Sequence, residues 1–285
     1  MNSYNSIQKQ AETHSTEEVV AMLKRLRLSA MAECLAESIH NPQFQELGLN
    51  DQLYELIASE TTKRTNNSYE RLKKKASLFS CATRETVVQR KEIYNLSPTR
   101  IDYLTSCIWR EKDTAIIIVG KCGCGKTDLG CAIVDSACRK GLKAQCIDFD
   151  NLILDLVSTR KKTDDRDLYR EAIQAYCKNE LLFIDDICME ETINGAAYVF
   201  KDLLDHYRKK GAHRGLILAS QLKPPKWCER LGGTPETSEA VVDRVLSNYE
   251  LIQLEGKSHR SGKPNNVEHQ KTENDKASEK NTGDE

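Results

Sequence analysis

The chain has 285 residues, of which 39% are apolar and 30% are charged, and its formal net charge is −1. This composition is typical of a globular protein with one large domain or two smaller ones, and it excludes a strongly acidic or basic chain. No apolar run reaches the ~18 residues of a membrane span, and the first residues lack the basic and apolar regions of a signal peptide.

Eleven cysteines are scattered along the chain without paired C-x-x-C spacing. Because no export signal precedes them, we expect reduced thiols that act as small apolar side chains. The sequence therefore predicts a cytoplasmic protein that has no membrane partner.

The N-terminal part is predicted to be helical, because Gly48 is the only glycine among the first 119 residues. We expect residues 1–15 to be flexible. The first helix begins at a capping box formed by Ser15 and Glu18, and apolar residues then recur at helical spacing.

Two further helices are predicted from DQLYELIASETTKR and from the basic stretch SYERLKKKASLF. Pro98 marks the exit from this region. The sequence thus predicts an all-helical N-terminal domain over residues 16–100.

Positive charge is concentrated between residues 61 and 100, where ten Lys or Arg residues face three acidic residues. Such a strip is either a contact surface for a phosphate backbone or an ordinary solvated helix face, and its charge alone leaves both readings open. The candidate DNA contacts in this strip are Lys63, Arg64, Arg71, Lys73, Lys74 and Lys75.

From Thr114 onwards the pattern changes to alternating strands and helices. The stretches TAIIIV, AQCIDF, LLFID, GLILAS and YELIQL predict five strands, and Gly141 is expected to cap the helix that follows the first strand. This alternation indicates an α/β fold with a mainly parallel sheet over residues 101–260. The polar tail, residues 261–285, is expected to be disordered.

The loop GKCGCGKT, residues 120–127, fits the pattern G-x-x-x-x-G-K-[ST]. Its glycines let backbone N–H groups turn around an anion, and the next helix directs its positive N-terminus at the phosphates. In this pattern Lys126 reaches the β- and γ-phosphates, and the Thr127 hydroxyl ligates Mg²⁺. The sequence predicts a nucleoside triphosphate bound by Gly120, Lys121, Cys122, Gly123, Cys124, Gly125, Lys126 and Thr127.

Cys122 and Cys124 raise two alternatives, a metal site and a redox site. Two cysteines supply at most two ligands, whereas a structural zinc site needs four. We therefore interpret them as small side chains at the free positions of the loop. Reversible oxidation of these thiols, blocking nucleotide entry, is a further hypothesis.

Acidic residues follow the third predicted strand, in LLFIDD. Asp185 is expected to organise Mg²⁺ together with Thr127, and Asp186 to polarise the attacking water. Taken alone, two acids after a strand are also typical of a helix cap or a turn. The nucleotide loop about 60 residues upstream favours the catalytic role.

Polar residues also follow the fourth strand and precede the fifth. Ser220 and Gln221 are expected just past the fourth strand, near the γ-phosphate or the attacking water. Arg244 lies on a predicted short helix, from which an arginine can enter the nucleotide site of a neighbouring subunit. An ordinary ion pair with Asp243 or another nearby acid is the alternative for Arg244.

Together, the nucleotide loop, LLFIDD, SQLKPPKW and VVDRVLSNYELIQLEGKSHR resemble the IstB-like ATPases of the AAA+ superfamily. These are the helper ATPases of bacterial insertion sequences and are close kin of the DnaC helicase loaders. The N-terminal stretches LKRLRLSAMAECLAES and ERLKKKASL are also similar to the leading helices of that family. The resemblance covers residues 20–260, and the C-terminal string is its most specific part.

The resemblance implies a P-loop AAA+ core without a C-terminal lid, with ATP and Mg²⁺ as cofactors. It implies that Gln221 is a sensor of the γ-phosphate, that Arg244 is an inter-subunit arginine finger and that Arg260 is a second sensor. It also implies nucleotide-dependent self-association on DNA, expected to be double-stranded, and recruitment of a partner transposase, with ATP hydrolysis as a control step. Further candidate DNA contacts follow a helix in an insertion typical of initiator-type members, namely Arg160, Lys161 and Lys162.

One position departs from the family pattern, because Asp128 stands where the family usually has histidine. Its charge either weakens nucleotide affinity or stabilises the N-terminus of the helix. The alternative function is a helicase loader whose partners are a replicative helicase and single-stranded DNA. The SQLKPPKW stretch and the helical, zinc-free N-terminus favour the transposition helper.

Overall fold

The computed structural model describes residues 14–162, 166–209 and 211–255. The predicted polar tail, most of the predicted flexible N-terminus and Arg260 lie outside these ranges. The described helices are α1 Thr16–Arg25, α2 Ser29–Ser38, α3 Pro42–Glu46, α4 Leu49–Ala76, α5 Arg84–Gln89, α6 Lys91–Tyr94, α7 Pro98–Ser106, α8 Lys126–Arg139, α9 Phe149–Lys162, α10 Arg166–Cys177, α11 Ala196–Tyr207 and α12 Pro235–Leu246. The strands are β1 Ala115–Gly120, β2 Ala144–Asp148, β3 Leu181–Asp185, β4 Gly215–Ser220 and β5 Tyr249–Leu254.

The first helix begins as its sequence predicts. The Ser15 hydroxyl accepts the backbone N–H of Glu18, and the Glu18 carboxylate accepts the backbone N–H of Ser15, each at 3.2 Å. The helical pattern then breaks between α1 and α2, where Arg27 adopts the left-handed region with φ 59°. The stretch of helical spacing that follows Ser15 therefore folds as two short helices, α1 and α2.

The prediction of two helices after residue 50 is wrong, because both stretches belong to the single 28-residue helix α4. No glycine or proline interrupts this segment, so the backbone hydrogen bonds continue until Ser77 ends the helix in a left-handed conformation. Although α4 is long, none of the described helices combines the length and apolarity needed to cross a membrane.

The five strands form one parallel sheet in the order β2-β3-β4-β1-β5. The predicted α/β fold with a mainly parallel sheet is thus confirmed, and every described pairing is parallel. Strand β4 lies between β1 and β3, so the carboxyl ends of these three strands are neighbours. In open parallel sheets, ligands bind at this edge.

Helices cover both faces of the sheet, as a parallel sheet requires. On one face α9, α10, α11 and α12 pack against Ile117 and Ile184. On the other face α5, α7 and α8 pack against Ile116 and Phe183, and the end of α4 joins the same core through Leu72 and Ala76. The helical N-terminal region therefore continues into the core of the nucleotide-binding region, and the predicted boundary at residue 100 stays a prediction.

Candidate nucleotide-binding site

The glycine-rich loop connects the end of β1 to the start of α8. Gly123 and Gly125 adopt φ values of 77° and 92°, which side chains other than glycine rarely adopt. Helix α8 then begins at Lys126, so its unpaired N-terminal N–H groups face the loop. The strand, loop and helix arrangement predicted from the sequence is confirmed.

Lys126 points into this loop and is almost fully buried, with 5% of its surface exposed. Its ammonium group donates hydrogen bonds to the carbonyl oxygens of Gly120 at 3.1 Å and of Lys121 at 3.2 Å. These contacts hold the positive charge inside the turn of the loop, where an anion cradled by backbone N–H groups would lie.

Thr127 and Asp185 connect the nucleotide loop to the end of β3. The Thr127 hydroxyl donates a hydrogen bond of 2.6 Å to Oδ2 of Asp185. Burial raises the pKa of the Asp185 carboxyl, the hydrogen bond from Thr127 opposes this rise, and the negative charge of Asp186 adds to it. A hydroxyl and a carboxylate are oxygen ligands suited to Mg²⁺, which usually takes one or two carboxylates together with substrate phosphates. These two residues therefore fit the predicted ion.

Asp186 and Gln221 lie beside this pair. Asp186 follows β3 directly, is exposed, adopts φ 54° and donates its backbone N–H to Oδ1 of Asp185 at 3.0 Å. Gln221 is half-buried and follows β4, the strand between β1 and β3. The sheet order therefore brings the loop, the two acids and Gln221 to one edge.

Ser220 differs from the expectation, because it is the last residue of β4 and is fully buried. Its hydroxyl donates to the carbonyl of Ile187 at 2.6 Å and accepts the backbone N–H of Leu222 at 3.1 Å. Ser220 thus joins the two segments that follow β3 and β4.

The two loop cysteines occupy different environments. Cys122 is exposed, whereas Cys124 is buried with its sulfur against Gly120. A Cβ atom added at Gly120 would lie 2.5 Å from this sulfur and 2.7 Å from the carbonyl oxygen of Leu254. Cys124 therefore fills the space beside a glycine that cannot carry a side chain.

Tyr94 is a neighbour of the loop that no pattern in the sequence points to. A Cβ atom added at Gly125 would lie 2.5 Å from Cε1 of the buried Tyr94 ring. Burial, with a further contribution from the nearby Asp128 carboxylate, raises the pKa of Tyr94 to about 12. The end of the helical region thus packs directly on the nucleotide loop, and no motif indicates this contact.

Arg244 lies at the opposite end of the sheet. It is in the last turn of α12, and its carbonyl accepts a hydrogen bond from Arg208. The Arg208 guanidinium also donates to the carbonyls of Asp113 and Asn248, which lie just before β1 and β5 respectively. Strand β1 has six residues and separates this end from the loop by about 20 Å at 3.3 Å per residue.

The Arg244 side chain forms an ion pair with Asp205 of α11, and not with the adjacent Asp243. Within the single chain, Arg244 therefore forms the ion pair with a nearby acid that the alternative interpretation expects. The predicted role of Arg244 towards a neighbouring subunit stays a prediction.

Comparison with known proteins identifies the family. The family model described as IstB-like ATP binding protein matches residues 21–266. The chain belongs to this family. Two similar proteins of Sinorhizobium fredii are named as insertion-sequence ATP-binding proteins. One is 24% identical over 84% of this chain and 93% of its own length, and the other is 28% identical over 84% and 94%. The family is described as ATP-binding, so its membership supports ATP as the cofactor of this chain.

Among solved structures, DnaA from Aquifex aeolicus with bound AMPPCP is 21% identical to the IstB-like chain. The match covers 62% of this chain and 51% of that chain with a TM-score of 0.49.

The basic residues selected as DNA contacts fall into two groups in this IstB-like chain. Some are held by side chains of the same chain, Lys63 by Glu33 at 2.8 Å and Arg64 by Glu60 at 2.7 Å. Lys73 donates to Tyr69 at 3.1 Å, and Arg160 stacks on Tyr198 at 3.6 Å from the ring centroid. Three others on α4 are exposed and form no ion pair within the described ranges, and we call Arg71, Lys74 and Lys75 the α4 basic face.

The basic triplet at residues 160–162 forms the end of α9 and does not follow the helix as expected. Lys161 is exposed, and the side chain of Lys162 lies outside the described residues.

Proposed function

We propose that this IstB-like protein is an ATP-hydrolysing helper of DNA transposition, which assembles on DNA and recruits its partner transposase. Membership of the family and the names of the insertion-sequence relatives support this proposal. The observation that carries it is the separation of the ATP site from Arg244 by the length of the sheet.

Within one subunit, five residues carry out the chemistry at the ATP site. Lys126 binds the β- and γ-phosphates from inside the loop, and Thr127 and Asp185 hold Mg²⁺. The ion would neutralise charge on the phosphates when bound. Asp186, exposed at the end of β3, orients and polarises the attacking water. Gln221 contacts the γ-phosphate or this water from the end of the central strand.

Arg244 completes the site of a neighbouring subunit. An arginine side chain is much shorter than the separation of about 20 Å set by the strand length, so Arg244 does not reach the ATP of its own chain. Where an arginine finger operates in trans, it contributes a rate factor of about 10³–10⁵. Hydrolysis therefore requires assembly, and ATP acts as a switch for that assembly.

The α4 basic face is the surface that we assign to duplex DNA. Lys74 and Lys75 follow Arg71 by one helical turn on α4, and all three carry charges that no described acid neutralises. Contacts with phosphates release counterions and give affinity without base specificity. Because the same helix ends in the core beside α8, DNA bound there would lie close to the ATP-binding region.

Sedimentation of labelled duplex DNA tests this function. We expect the wild-type protein to form large complexes with duplex DNA when ATP and Mg²⁺ are present. We expect Lys126→Ala to lose ATP affinity and to form no large complexes when it is the only protein present, and Arg244→Ala to bind ATP and lose hydrolysis. Normal hydrolysis by Arg244→Ala at assembling concentrations would contradict the finger assignment.

The identity of the protein partner is tested by affinity capture from cells that carry the insertion sequence. Recovery of the transposase encoded beside this protein is the expected result. Recovery of a replicative helicase without a transposase, together with a preference for single-stranded DNA, would instead assign the function of a helicase loader.

A further inference from the structure

We infer that Asp205 is a positioning residue for catalysis in the neighbouring subunit, because it orients the Arg244 guanidinium. This inference rests on the proposed role of Arg244 in trans. The sequence does not indicate it, since 39 residues separate the two side chains.

The contacts of Arg244 engage two of its three guanidinium nitrogens and leave the third available. Nε donates to Oδ1 of Asp205, and Nη1 donates to the carbonyl of Ala240 at 2.9 Å. No hydrogen bond within the described ranges uses Nη2. The side chain is 34% exposed, and Arg244 lines an open cavity of about 520 Å³. Two nitrogens of the planar group are therefore held by the chain, while the third keeps its donors for another partner.

Asp205 is itself held in place by a second cation. Lys201, one turn earlier on α11, donates to Oδ2 of Asp205 at 3.1 Å, whereas Arg244 occupies Oδ1. Partial burial acts to raise the pKa of Asp205, but the hydrogen bonds from Arg244 and Lys201 outweigh it and the pKa is lowered. The carboxylate is thus ionised at neutral pH and accepts from both cations.

The C-terminal end of helix α11 also holds the backbone of Arg244 in place. Arg208, directly after this helix, donates to the carbonyls of Arg244 and Val245, and to those of Asp113 and Asn248. The backbone of the finger is held by Arg208 and its side chain by Asp205. A flexible arginine that is held in this way loses less conformational entropy when it contacts a phosphate.

The matched control is the adjacent acid Asp243, which is exposed and lines the same cavity without an ion pair to Arg244 within the described ranges. Asp243→Asn removes the same charge at nearly the same place. Any effect of net charge alone will appear in both variants, whereas an effect of orientation will appear only in Asp205→Asn.

The test uses mixed assemblies on duplex DNA in which one variant supplies the ATP site and the other supplies the finger. Arg244→Ala subunits retain a complete ATP site, and Lys126→Ala subunits retain the finger. We expect a mixture of the two to hydrolyse ATP although neither variant does so alone. Adding Asp205→Asn to the Lys126→Ala subunits should lower the rate at saturating ATP by about 10- to 100-fold, the range for a misplaced catalytic group. Adding Asp243→Asn there should leave it unchanged.

The position of the substitution separates orientation from a fold defect. With Asp205→Asn in the Arg244→Ala subunits, the rate should be unchanged, because those subunits supply no finger. Equal loss from both positions, or no loss from the finger-supplying subunits, would overturn the inference while leaving the trans role of Arg244 intact. No hydrolysis in the mixture that lacks Asp205→Asn would overturn that trans role and the inference with it.

Discussion

Replacing Thr127 with valine removes one hydroxyl and keeps the shape of the side chain. The hydroxyl donates a 2.6 Å hydrogen bond to Asp185, whose exposed fraction is only 5%. A hydrogen bond to a charged group contributes about 1.5–3 kcal/mol, and a buried acceptor left unpaired loses that contribution. We therefore expect Thr127→Val to lower the free energy of unfolding without nucleotide by about 1.5–3 kcal/mol.

The same substitution removes one of the two residues that we assign to Mg²⁺. A loss of about 1.5–3 kcal/mol in the Mg²⁺ complex corresponds to an affinity for Mg²⁺–ATP that is about 10- to 150-fold weaker. The affinity for ATP measured in EDTA should change little, because Lys126 and the loop N–H groups remain. The loss should therefore be specific to the metal complex.

Titration with a fluorescent ATP analogue, with Mg²⁺ and with EDTA, measures this difference, and urea unfolding measures the stability. Thr127→Ser is the control, since it keeps the hydroxyl and should behave as the wild type. If Thr127→Val weakens binding equally under both conditions, the substitution distorts the loop and Thr127 is not a ligand. If it weakens neither, the assignment of this site to Mg²⁺ is wrong.

Three other variants test separate parts of the structure. Gly125→Ala should lower the free energy of unfolding by about 2–5 kcal/mol, because left-handed strain adds to a clash with Tyr94; urea unfolding that shows wild-type stability would contradict the loop geometry. Tyr69→Phe removes a 2.6 Å hydrogen bond to Asp135, which is 1% exposed, and should cost about 1.5 kcal/mol in the same assay because Arg139 still binds this acid. Triple alanine substitution of the α4 basic face should make the slope of log K against log salt for duplex DNA shallower by about 2.7, whereas Lys63→Ala should change it less because Glu33 already neutralises that lysine. Equal slopes for the triple variant and the wild type would exclude this face as a phosphate contact.

The parts of the site that the sequence predicts are those fixed by local geometry. The nucleotide loop needs glycine at positive φ, a preceding strand and a following helix, and all three requirements are visible in the sequence around residues 115–139. The acids at the end of β3 and the glutamine after β4 follow from the rule that parallel strands present their carboxyl ends at one edge. These residues are near one another because the sheet order makes them so.

The contacts that the sequence does not predict join residues far apart in the chain. The pairing of Arg244 with Asp205 and the packing of Tyr94 on Gly125 depend on how the helices pack on the sheet. No local sequence pattern encodes that packing. The sequence also treats Lys73 as a free cation, although its ammonium lies 3.5 Å from the buried carboxylate of Asp135 on α8. The sequence pattern divides helix α4 because charged residues obscure its apolar periodicity, whereas the absence of a helix-breaking residue correctly indicates one continuous helix.

The dependence of ATP hydrolysis on protein concentration tests most directly whether one subunit completes the site of another. At saturating ATP, we expect the rate per subunit of the wild-type protein to fall towards zero as dilution separates the subunits. Duplex DNA should shift this fall to lower protein concentrations, because subunits bound to the same duplex are held close to one another. A rate per subunit that stays constant under dilution, at concentrations where sedimentation shows a monomer, would show that one subunit hydrolyses ATP alone and would contradict the trans role of Arg244.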